Sequence, residues 1–400
     1  MGWNVIEVEQ GNDIDVVYAA IEMTINEVKQ DAKQPVLLWV KTVKGIGNAA
    51  TAASASGGHG FPGSAPAAMS EFIQEIYEGA EIPAEIISLA QEVEEKVASL
   101  EAAKQSATKE VSPLVESGLI SADRGKVQAG FAQGAIAAKE AGLPVVTVSA
   151  DLAGSTGMAP FVKAFPESAF DIGVAESNAF SAATGLSKAG MIGIADTFAQ
   201  FGATKGALPL IMSSLSRAPV IGVLSHAGFQ DAADGASHQA TTYISTLAGI
   251  PNVTLVNPSS SSEAEHLMKS AIEKIASDRQ AGLDGESVIF FTGREGFPNS
   301  YQAEAVSWGG YQVFGEAGNV VIASTGYLLE KSLKAQAELD EQGVKATVVH
   351  MPFVNNTTID DQLLALVKSA QGRVITFEDH QVLGGFGSIL THALAQENLG

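Results

Sequence analysis

The sequence predicts an α/β protein in which helices cover parallel β-sheets. Short runs rich in β-branched residues alternate with amphipathic helical stretches along almost the whole chain. That alternation is typical of parallel strands joined by crossover helices. The 400 residues exceed the usual size of one hydrophobic core, and a hydrophobic share of 46% is enough to fill two or three. We therefore expect several α/β domains.

The first of four predicted segments, residues 1–66, contains a single strand–helix–strand unit. We expect its helix to be capped at Asn12 or Asp13 and its second strand to span Pro35–Val40. A parallel sheet needs more than two strands to close a core, so this unit is typical of the tail of a domain. Residues 67–119 interleave Glu and Lys, which predicts a linker of helices.

The two remaining segments each contain enough strands for a domain. Residues 120–305 carry five strand-like runs with helices between them, which predicts a self-sufficient α/β domain. Residues 306–400 carry three more runs and a final helix, which predicts a smaller α/β domain. Gly384 and Gly385 precede that helix. Such a turn can bind an anion, but a purely structural turn is the simpler interpretation.

Charge and cysteine content limit the possible partners. The chain has 23 Lys and Arg against 45 Asp and Glu, and the resulting net charge of -22 disfavours nucleic acid and anionic membranes. A pocket with a few placed cations can still bind an anionic substrate. With no cysteine there are no disulfides or thiolate ligands, and no apolar run is long enough to span a bilayer. We expect a cytoplasmic protein.

The loop 225–239 carries the most specific pattern. His226 follows a predicted strand, and Asp234 and His238 come eight and twelve residues later on a loop that contains glycine. Two imidazoles and a carboxylate can ligate a metal, stabilise the loop, or hydrogen-bond a polyol. The chain offers no fourth ligand nearby, so we predict no metal at this loop, and the spacing alone leaves the loop-stabilising and polyol-binding roles open.

A second pattern lies upstream of this loop. Glu176 stands between a strand-like stretch and a helix of small residues, where a carboxylate either complements the helix dipole or binds a ligand. Phe198 and Phe201 follow at helical spacing. They are either core residues or rings that stack on a flat ligand.

Together these segments resemble the transketolase family of thiamine-diphosphate-dependent enzymes. Residues 171–201 and the loop 225–239 are similar to its pyrimidine-binding domain, and 377–387 is similar to its carboxy-terminal domain. The resemblance implies a thiamine-diphosphate-binding fold plus a smaller carboxy-terminal α/β domain. The implied segments are the tail of the diphosphate-binding domain (1–66), the linker (67–119), the pyrimidine-binding domain (120–305) and a short carboxy-terminal domain (306–400).

The resemblance also implies residue roles. In the family the glutamate at the position of Glu176 hydrogen-bonds the aminopyrimidine ring and helps to activate the cofactor. The implied catalytic residues are Glu176, His226 and His238. The implied cofactor-binding residues are Asp151, Glu176, Phe198, Phe201 and His238. The implied substrate-binding residues are His59, Arg124, Ser155, His226, Asp234 and Arg294. Each arginine suits a sugar phosphate but could equally form a salt bridge, and an isolated histidine such as His59 is often only solvated.

The chain departs from the family pattern at three places. Ser56 stands where the family often has a first histidine, and Thr204 stands where many members have a further aromatic residue. The Gly-Asp-Gly motif, which holds Mg²⁺ and the diphosphate, does not occur in the sequence. We therefore expect a partner chain with that motif, or a longer protein of which this is a fragment. The expected assembly is a heterotetramer that contains a dimer of this chain.

The implied activity is transfer of a two-carbon ketol unit from a ketose phosphate to an aldose. Two enzyme alternatives share these domains, namely 1-deoxy-D-xylulose-5-phosphate synthase and the beta subunit of a 2-oxoacid dehydrogenase. Both use oxoacid donors, which leave little use for a polyol-binding pair such as His226 and Asp234. A third alternative is a non-catalytic subunit that regulates a homologue.

Overall fold

The structure is a computed structural model that describes residues 2–30, 34–53, 68–106, 112–231, 234–302 and 306–397. The chain divides into two compact units, residues 1–110 and 111–400. Both units contain parallel strands joined by helices, so the predicted α/β class is confirmed. Among the described residues, no helix combines the length and the hydrophobicity that a membrane crossing requires.

The first unit contains a single strand–helix–strand motif. Strand β1 (Asn4–Val8) pairs in parallel with β2 (Val36–Val40), and helix α1 (Ile14–Gln30) connects them. The Asp13 carboxylate accepts two backbone N–H groups of the first helical turn, so the predicted cap is confirmed. Within the described part of this unit, no third strand joins the sheet.

Three helices follow in the first unit. They are α2 (Ala49–Ala53), α3 (Met69–Tyr77) and α4 (Ala84–Ser106). Helices α3 and α4 pack against each other. In the described part of 67–119, the stretch with interleaved Glu and Lys is mostly helical, and its assignment as a linker stays a prediction.

The second unit begins with helix α5 (Pro113–Glu116) and strand β3 (Arg124–Lys126). A six-stranded parallel sheet follows, in the order β5-β4-β6-β7-β9-β8. Its strands are β4 (Val145–Ser149), β5 (Ala169–Asp171), β6 (Ile192–Phe198), β7 (Ile221–Ser225), β8 (Val253–Val256) and β9 (Ser287–Phe291). Five of these were predicted as strands; β5, at the edge, has only three residues and gives little periodic signal.

Helices cover both faces of this sheet. They are α6 (Ala129–Glu140), α7 (Ala153–Thr156), α8 (Ala159–Ala164), α9 (Glu176–Lys188), α10 (Ala199–Leu215), α11 (Tyr243–Leu247) and α12 (Ser261–Gln280). Alternate strand residues belong to different cores: Val223 packs with α6 and α12, whereas Leu224 packs with α9 and α10. This alternation is expected for a strand buried on both faces.

The strand order identifies the edge where a ligand is expected. From β4 the chain moves first outward to β5 and then back across to β6. In open parallel sheets, ligands bind outside the carboxyl ends of the strands at such a reversal. The crevice at the ends of β4 and β6 is therefore the expected site.

A second, mixed sheet completes the unit. Strand β10 (Gly296–Pro298) pairs with β3, and the second sheet has the order β11-β13-β12-β14. Its elements are β11 (Gln312–Phe314), β12 (Val320–Ser324), α13 (Leu328–Glu341), β13 (Ala346–His350), α14 (Asp361–Ser369), β14 (Val374–Phe377) and α15 (Phe386–Gln396). The antiparallel strand β11 was not predicted. Val321 and Val349 of this sheet share one hydrophobic core with Leu224 of the first.

The turn before α15 is structural, as the simpler interpretation had it. The Glu378 carboxylate accepts the backbone N–H groups of Phe386 (2.5 Å) and Gly387 (2.7 Å) at the start of that helix. The place where an external anion could bind is thus filled by the chain's own carboxylate.

Candidate active site

His226 leaves the sheet directly after β7 and is almost entirely buried. Its backbone lies in the left-handed region, with φ of 62°, and its Nδ1 lies 2.8 Å from Ser225 Oγ. Burial lowers the pKa of His226 to about 4, and the nearby carboxylate of Asp231 offsets this only in part. The imidazole is therefore neutral at neutral pH and suited to hydrogen bonding, not to carrying charge.

The side-chain rings of four predicted site residues contact one another. We call this set the imidazole cluster, and it comprises Phe198, Phe201, His226 and His238. The ring centroids of Phe198 and His226 are 4.2 Å apart, and those of Phe198 and His238 are 5.9 Å apart. Phe201 meets His238 edge to face at 5.1 Å. The rings meet because β6 and β7 are adjacent parallel strands whose carboxyl ends lie at one edge of the sheet.

Arg294 lies beside the same loop and is held by two carboxylates. Its Nη1 is hydrogen-bonded to Asp231 and lies 3.5 Å from Asp234 Oδ2. Gln230 Oε1 accepts the Arg294 backbone N–H at 2.8 Å. Asp231 is fully buried and was not predicted. The available signal was a second aspartate three residues before Asp234, because arginine binds carboxylates through charge-assisted hydrogen bonds.

Glu176 is the first residue of α9 and follows the carboxyl end of β5. Its exposed fraction is 9%, yet its side chain has no hydrogen-bond or ion-pair partner among the described residues. A favourable helix dipole explains why a carboxylate is tolerated here, and its oxygens are not among the fully enclosed polar atoms without a partner, so a ligand can reach them. Buried polar groups without a protein partner are often completed by a ligand.

Asp196 is a buried carboxyl group that sequence reasoning missed. It lies in β6, and the hydroxyls of Ser149 (2.9 Å) and Thr156 (2.7 Å) donate to its Oδ1. Its Oδ2 has no partner among the described residues, and burial raises its pKa to about 7. These bonds hold the segment after β4 against the strand that ends at Phe198. The signal was an aspartate inside an otherwise apolar strand.

Asp151 and Ser155 lie in that segment, at the point where the strand order reverses. Asp151 is exposed and has φ of 62°, an uncommon backbone conformation for a residue other than glycine. Ser155 is half-buried and accepts a hydrogen bond from Gln128 through its backbone oxygen at 3.4 Å. Neither side chain has a partner among the described residues. Both are therefore available to a ligand in the crevice between β4 and β6.

Arg124 is engaged elsewhere. Its guanidinium forms two 3.0 Å hydrogen bonds with the Glu330 carboxylate of α13. Burial by itself would raise the pKa of Glu330, but Arg124 and Lys334 outweigh it and hold that pKa below its ordinary value. In the described part of the chain, no contact joins Arg124 to the imidazole cluster. In this structure Arg124 therefore forms a salt bridge, which was one of its two expected roles.

Two further expectations concern the edges of the site. Thr204 is exposed on α10 and donates its hydroxyl to the Gln200 carbonyl at 2.7 Å, so it adds no ring to the imidazole cluster. The predicted substrate residue His59 falls in 54–67, outside the described residues. Over the described ranges, no group of three or more His, Asp or Glu residues could hold a metal ion.

Three family models match the chain and together cover most of it. The model for the thiamine diphosphate binding domain of transketolase matches residues 1–117. The transketolase pyrimidine binding domain matches 126–281, and the transketolase C-terminal domain matches 310–400.

Curated relatives of two kinds match. A protein of Methanocaldococcus jannaschii described as a transketolase C-terminal section is 31% identical over 261 residues, which are 64% of this chain and 77% of that protein. The 1-deoxy-D-xylulose-5-phosphate synthase of Desulforudis audaxviator is 27% identical over 265 residues, which are 65% of this chain and 39% of that enzyme. The chain therefore spans about two fifths of the length of such synthases.

Solved structures agree on the fold. A split-gene transketolase, solved as an inactive β4 tetramer, has a TM-score of 0.57 and 31% identity, with 68% of this chain and 84% of that chain covered. A Pichia stipitis transketolase variant has a TM-score of 0.54 and 20% identity, with 96% of this chain and 61% of that chain covered. At 20% identity the second likeness shows the fold alone.

Proposed function

Because this chain belongs to the transketolase family, we propose that it takes part in transfer of a two-carbon ketol unit from a ketose phosphate to an aldose. It does so as one subunit or fragment of a thiamine-diphosphate enzyme. The observation that carries this proposal is Glu176, a largely buried residue whose carboxylate has no hydrogen-bond or ion-pair partner among the described residues. It follows a strand at the same sheet edge as the imidazole cluster.

The residues at this edge fit the ring end of thiamine diphosphate. Glu176 would share a proton with a ring nitrogen, which supplies the partner that the carboxylate lacks. Phe198, Phe201 and His238 would bind the flat ring by stacking and edge contacts, and Asp151 would approach it from β4. When bound, the cofactor supplies the electron sink that allows a carbon–carbon bond beside a carbonyl to break.

The loop residues fit a phosphorylated sugar. Neutral His226 and the Asp234 carboxylate would hydrogen-bond sugar hydroxyls, while His238 would lie near the reacting carbonyl. Arg294 and Ser155 would contact the phosphate. We also keep Arg124 and His59 as proposed substrate residues; Arg124 would then have to exchange its bond with Glu330 for one with the phosphate.

Replacement of Asp234 by alanine is expected to lower kcat/KM for the ketose phosphate by about 10- to 100-fold, because a buried hydroxyl would lose its partner. Steady-state kinetics on the assembled enzyme measure this loss. Asp284, an exposed residue on another loop, provides the control as Asp284→Ala. Equal kinetics for the Asp234 variant and the unchanged protein would remove Asp234 from the substrate site.

The first unit supports the need for a partner. Strand β2 is apolar at every position, as expected for an inner strand of a parallel sheet, yet it exposes 47% of Leu37 and 53% of Trp39. We propose that a second chain carrying the Gly-Asp-Gly motif covers this strand and holds the diphosphate and Mg²⁺. The split-gene relative, inactive as a β4 tetramer, is consistent with a multi-chain enzyme.

The double substitution Leu37→Ser and Trp39→Ser is therefore expected to weaken partner binding by about 1,000-fold, since each buried anchor is worth about 2 kcal/mol and about 1.4 kcal/mol corresponds to a factor of ten. Titration calorimetry with the partner measures the affinity. Leu283→Ser is the matched control, because Leu283 is 61% exposed on a loop of the second unit. Unchanged affinity in the double variant would place the partner elsewhere.

We propose the same four segments that the sequence predicts, with 1–66 as the tail of the diphosphate-binding domain, 67–119 as linker, 120–305 as pyrimidine-binding domain and 306–400 as carboxy-terminal domain. We also propose that two copies of this chain associate within a heterotetramer. Helix α10 supports self-association, because it exposes one apolar stripe. The stripe consists of Leu208, Ile211, Met212 and Leu215.

Three measurements test the function as a whole. Calorimetry with thiamine diphosphate and Mg²⁺, with and without the co-purified partner, should show binding only to the assembly. The assembly should then turn over a ketose phosphate and an aldose but not pyruvate. Turnover of pyruvate would favour a deoxyxylulose-phosphate synthase, which the 27% identical relatives support, or an oxoacid dehydrogenase subunit. If no cofactor binds even in the presence of the partner, a regulatory subunit is favoured.

A further inference from the structure

The segment after β14 contacts the loop that carries the imidazole cluster. Asp379 Oδ2 accepts the backbone N–H of Phe229 at 3.0 Å, three residues after His226. The backbone N–H of Gln381 donates to the Thr241 carbonyl at 2.9 Å, two residues beyond the other end of the loop. The carboxy-terminal part of the chain thus contacts the loop near its start and the chain just after its end.

The contact with Asp379 is close enough to require a glycine in the loop. Gly228 has φ of 76°, and a Cβ placed there would overlap the Asp379 carboxylate. The backbone of Gly228 also donates to the Ala240 carbonyl at 2.7 Å, which closes the base of the loop. The backbone of the loop at Gly228 therefore packs directly against the Asp379 carboxylate.

His380 extends the same contact. Its Nε2 accepts the backbone N–H groups of Ile244 (3.1 Å) and Ser245 (3.4 Å) at the start of α11, which follows the loop. Its Nδ1 lies 2.8 Å from the Gln381 carbonyl and donates to it. The start of α11 is therefore hydrogen-bonded to His380, the residue next to the one that accepts the Phe229 N–H.

We propose that Asp379 is a positioning residue. It holds the loop 225–239, and with it His226 and Asp234, in the geometry needed for turnover. The carboxy-terminal domain then has a role in the active site. The effect on turnover rests on the proposed function, whereas the effect on the loop does not. Asp379 does not touch the imidazole rings in this structure, so it acts through the Phe229 backbone.

Hydrogen exchange tests the effect on the loop. We expect Asp379→Ala to raise the exchange rate of the Phe229 amide about tenfold or more, and Asp379→Asn, whose side-chain oxygen can still accept that N–H, to restore most of the protection. Asp361→Ala, on the exposed side of α14, is the control. Unchanged protection in Asp379→Ala would overturn the proposal.

Two glycine variants give an independent test. Gly228→Ala adds a Cβ that displaces Asp379, whereas Gly235→Ala adds one that meets no atom of the described residues within 4 Å, at nearly the same φ of 78°. Both carry the same backbone strain. We expect only Gly228→Ala to release the Phe229 amide. Equal release in both variants would show that strain, not Asp379, controls the loop.

Kinetics on the assembled enzyme test the effect on turnover. We expect Asp379→Ala to lower kcat/KM about tenfold with unchanged thermal stability, and Asp379→Asn to recover it. If Asp379→Asn were as impaired as Asp379→Ala while its Phe229 amide stayed protected, positioning would be refuted. If the unchanged enzyme and its variants all lack transketolase activity while hydrogen exchange follows the expected pattern, the positioning of the loop stands and the proposed function fails.

Discussion

Replacement of Glu176 by glutamine is expected to lower turnover of the assembled enzyme by about 10²- to 10⁴-fold, the usual contribution of one proton-transferring side chain. The amide keeps the size of the carboxylate but cannot take up or release a proton. The buried position should tolerate it, because Glu176 makes no hydrogen bond or ion pair with any described residue. Steady-state kinetics at saturating cofactor measure the effect.

Two comparisons make this result specific. Glu140→Gln, at the exposed end of α6, should have full activity. The Glu176 variant should unfold at the same temperature as the unchanged protein, which excludes misfolding as the cause. Activity within threefold of the unchanged enzyme would refute the assignment of Glu176.

Asp196→Asn is expected to stabilise the protein at pH 8 by about 4 kcal/mol. The pKa of this carboxyl is about 7 in the folded protein against an ordinary aspartate value of 3.8, and each unit of difference corresponds to about 1.4 kcal/mol. The folded state therefore holds a proton that the unfolded chain releases between about pH 4 and pH 7. Stability from this group is lost as the pH rises through that window. Asparagine has no such proton, and its oxygen can still accept from Ser149 and Thr156.

The measurement is the free energy of unfolding of both proteins from pH 5 to pH 8. His226 has a lowered pKa and acts in the opposite direction below about pH 6.5, so only the difference between the two proteins isolates Asp196. That difference should grow with pH up to about 7 and then level off. Asp123→Asn, at an exposed position, is the control. A difference that is constant with pH would show that Asp196 is ionised throughout.

Local patterns predicted much of the fold. The alternation of strands and helices depends on residues close in sequence, and the structure confirms the α/β class and the Asp13 cap. The resemblance to the transketolase family predicted site roles for Phe198, Phe201, His226 and His238. The structure shows these rings in contact. Their roles stay predictions, because contact between rings does not establish catalysis.

Other features depend on which distant residues meet. Arg124 bonds with Glu330, more than two hundred positions away, and no spacing in the sequence distinguishes that salt bridge from a phosphate site. The bond between Asp379 and Phe229 joins parts of the chain 150 residues apart. Sequence reasoning gave the carboxy-terminal segment no active-site role because nothing local indicates such a contact.

The sequence by itself determined the α/β class and the resemblance to one enzyme family, because periodicity and short motifs act over a few residues. Only the tertiary structure decided that Glu176 has no hydrogen-bond partner among the described residues, that Asp196 is fully buried, and that Asp379 accepts the backbone N–H of Phe229. Burial and hydrogen bonding between distant segments set the charge state and position of these groups.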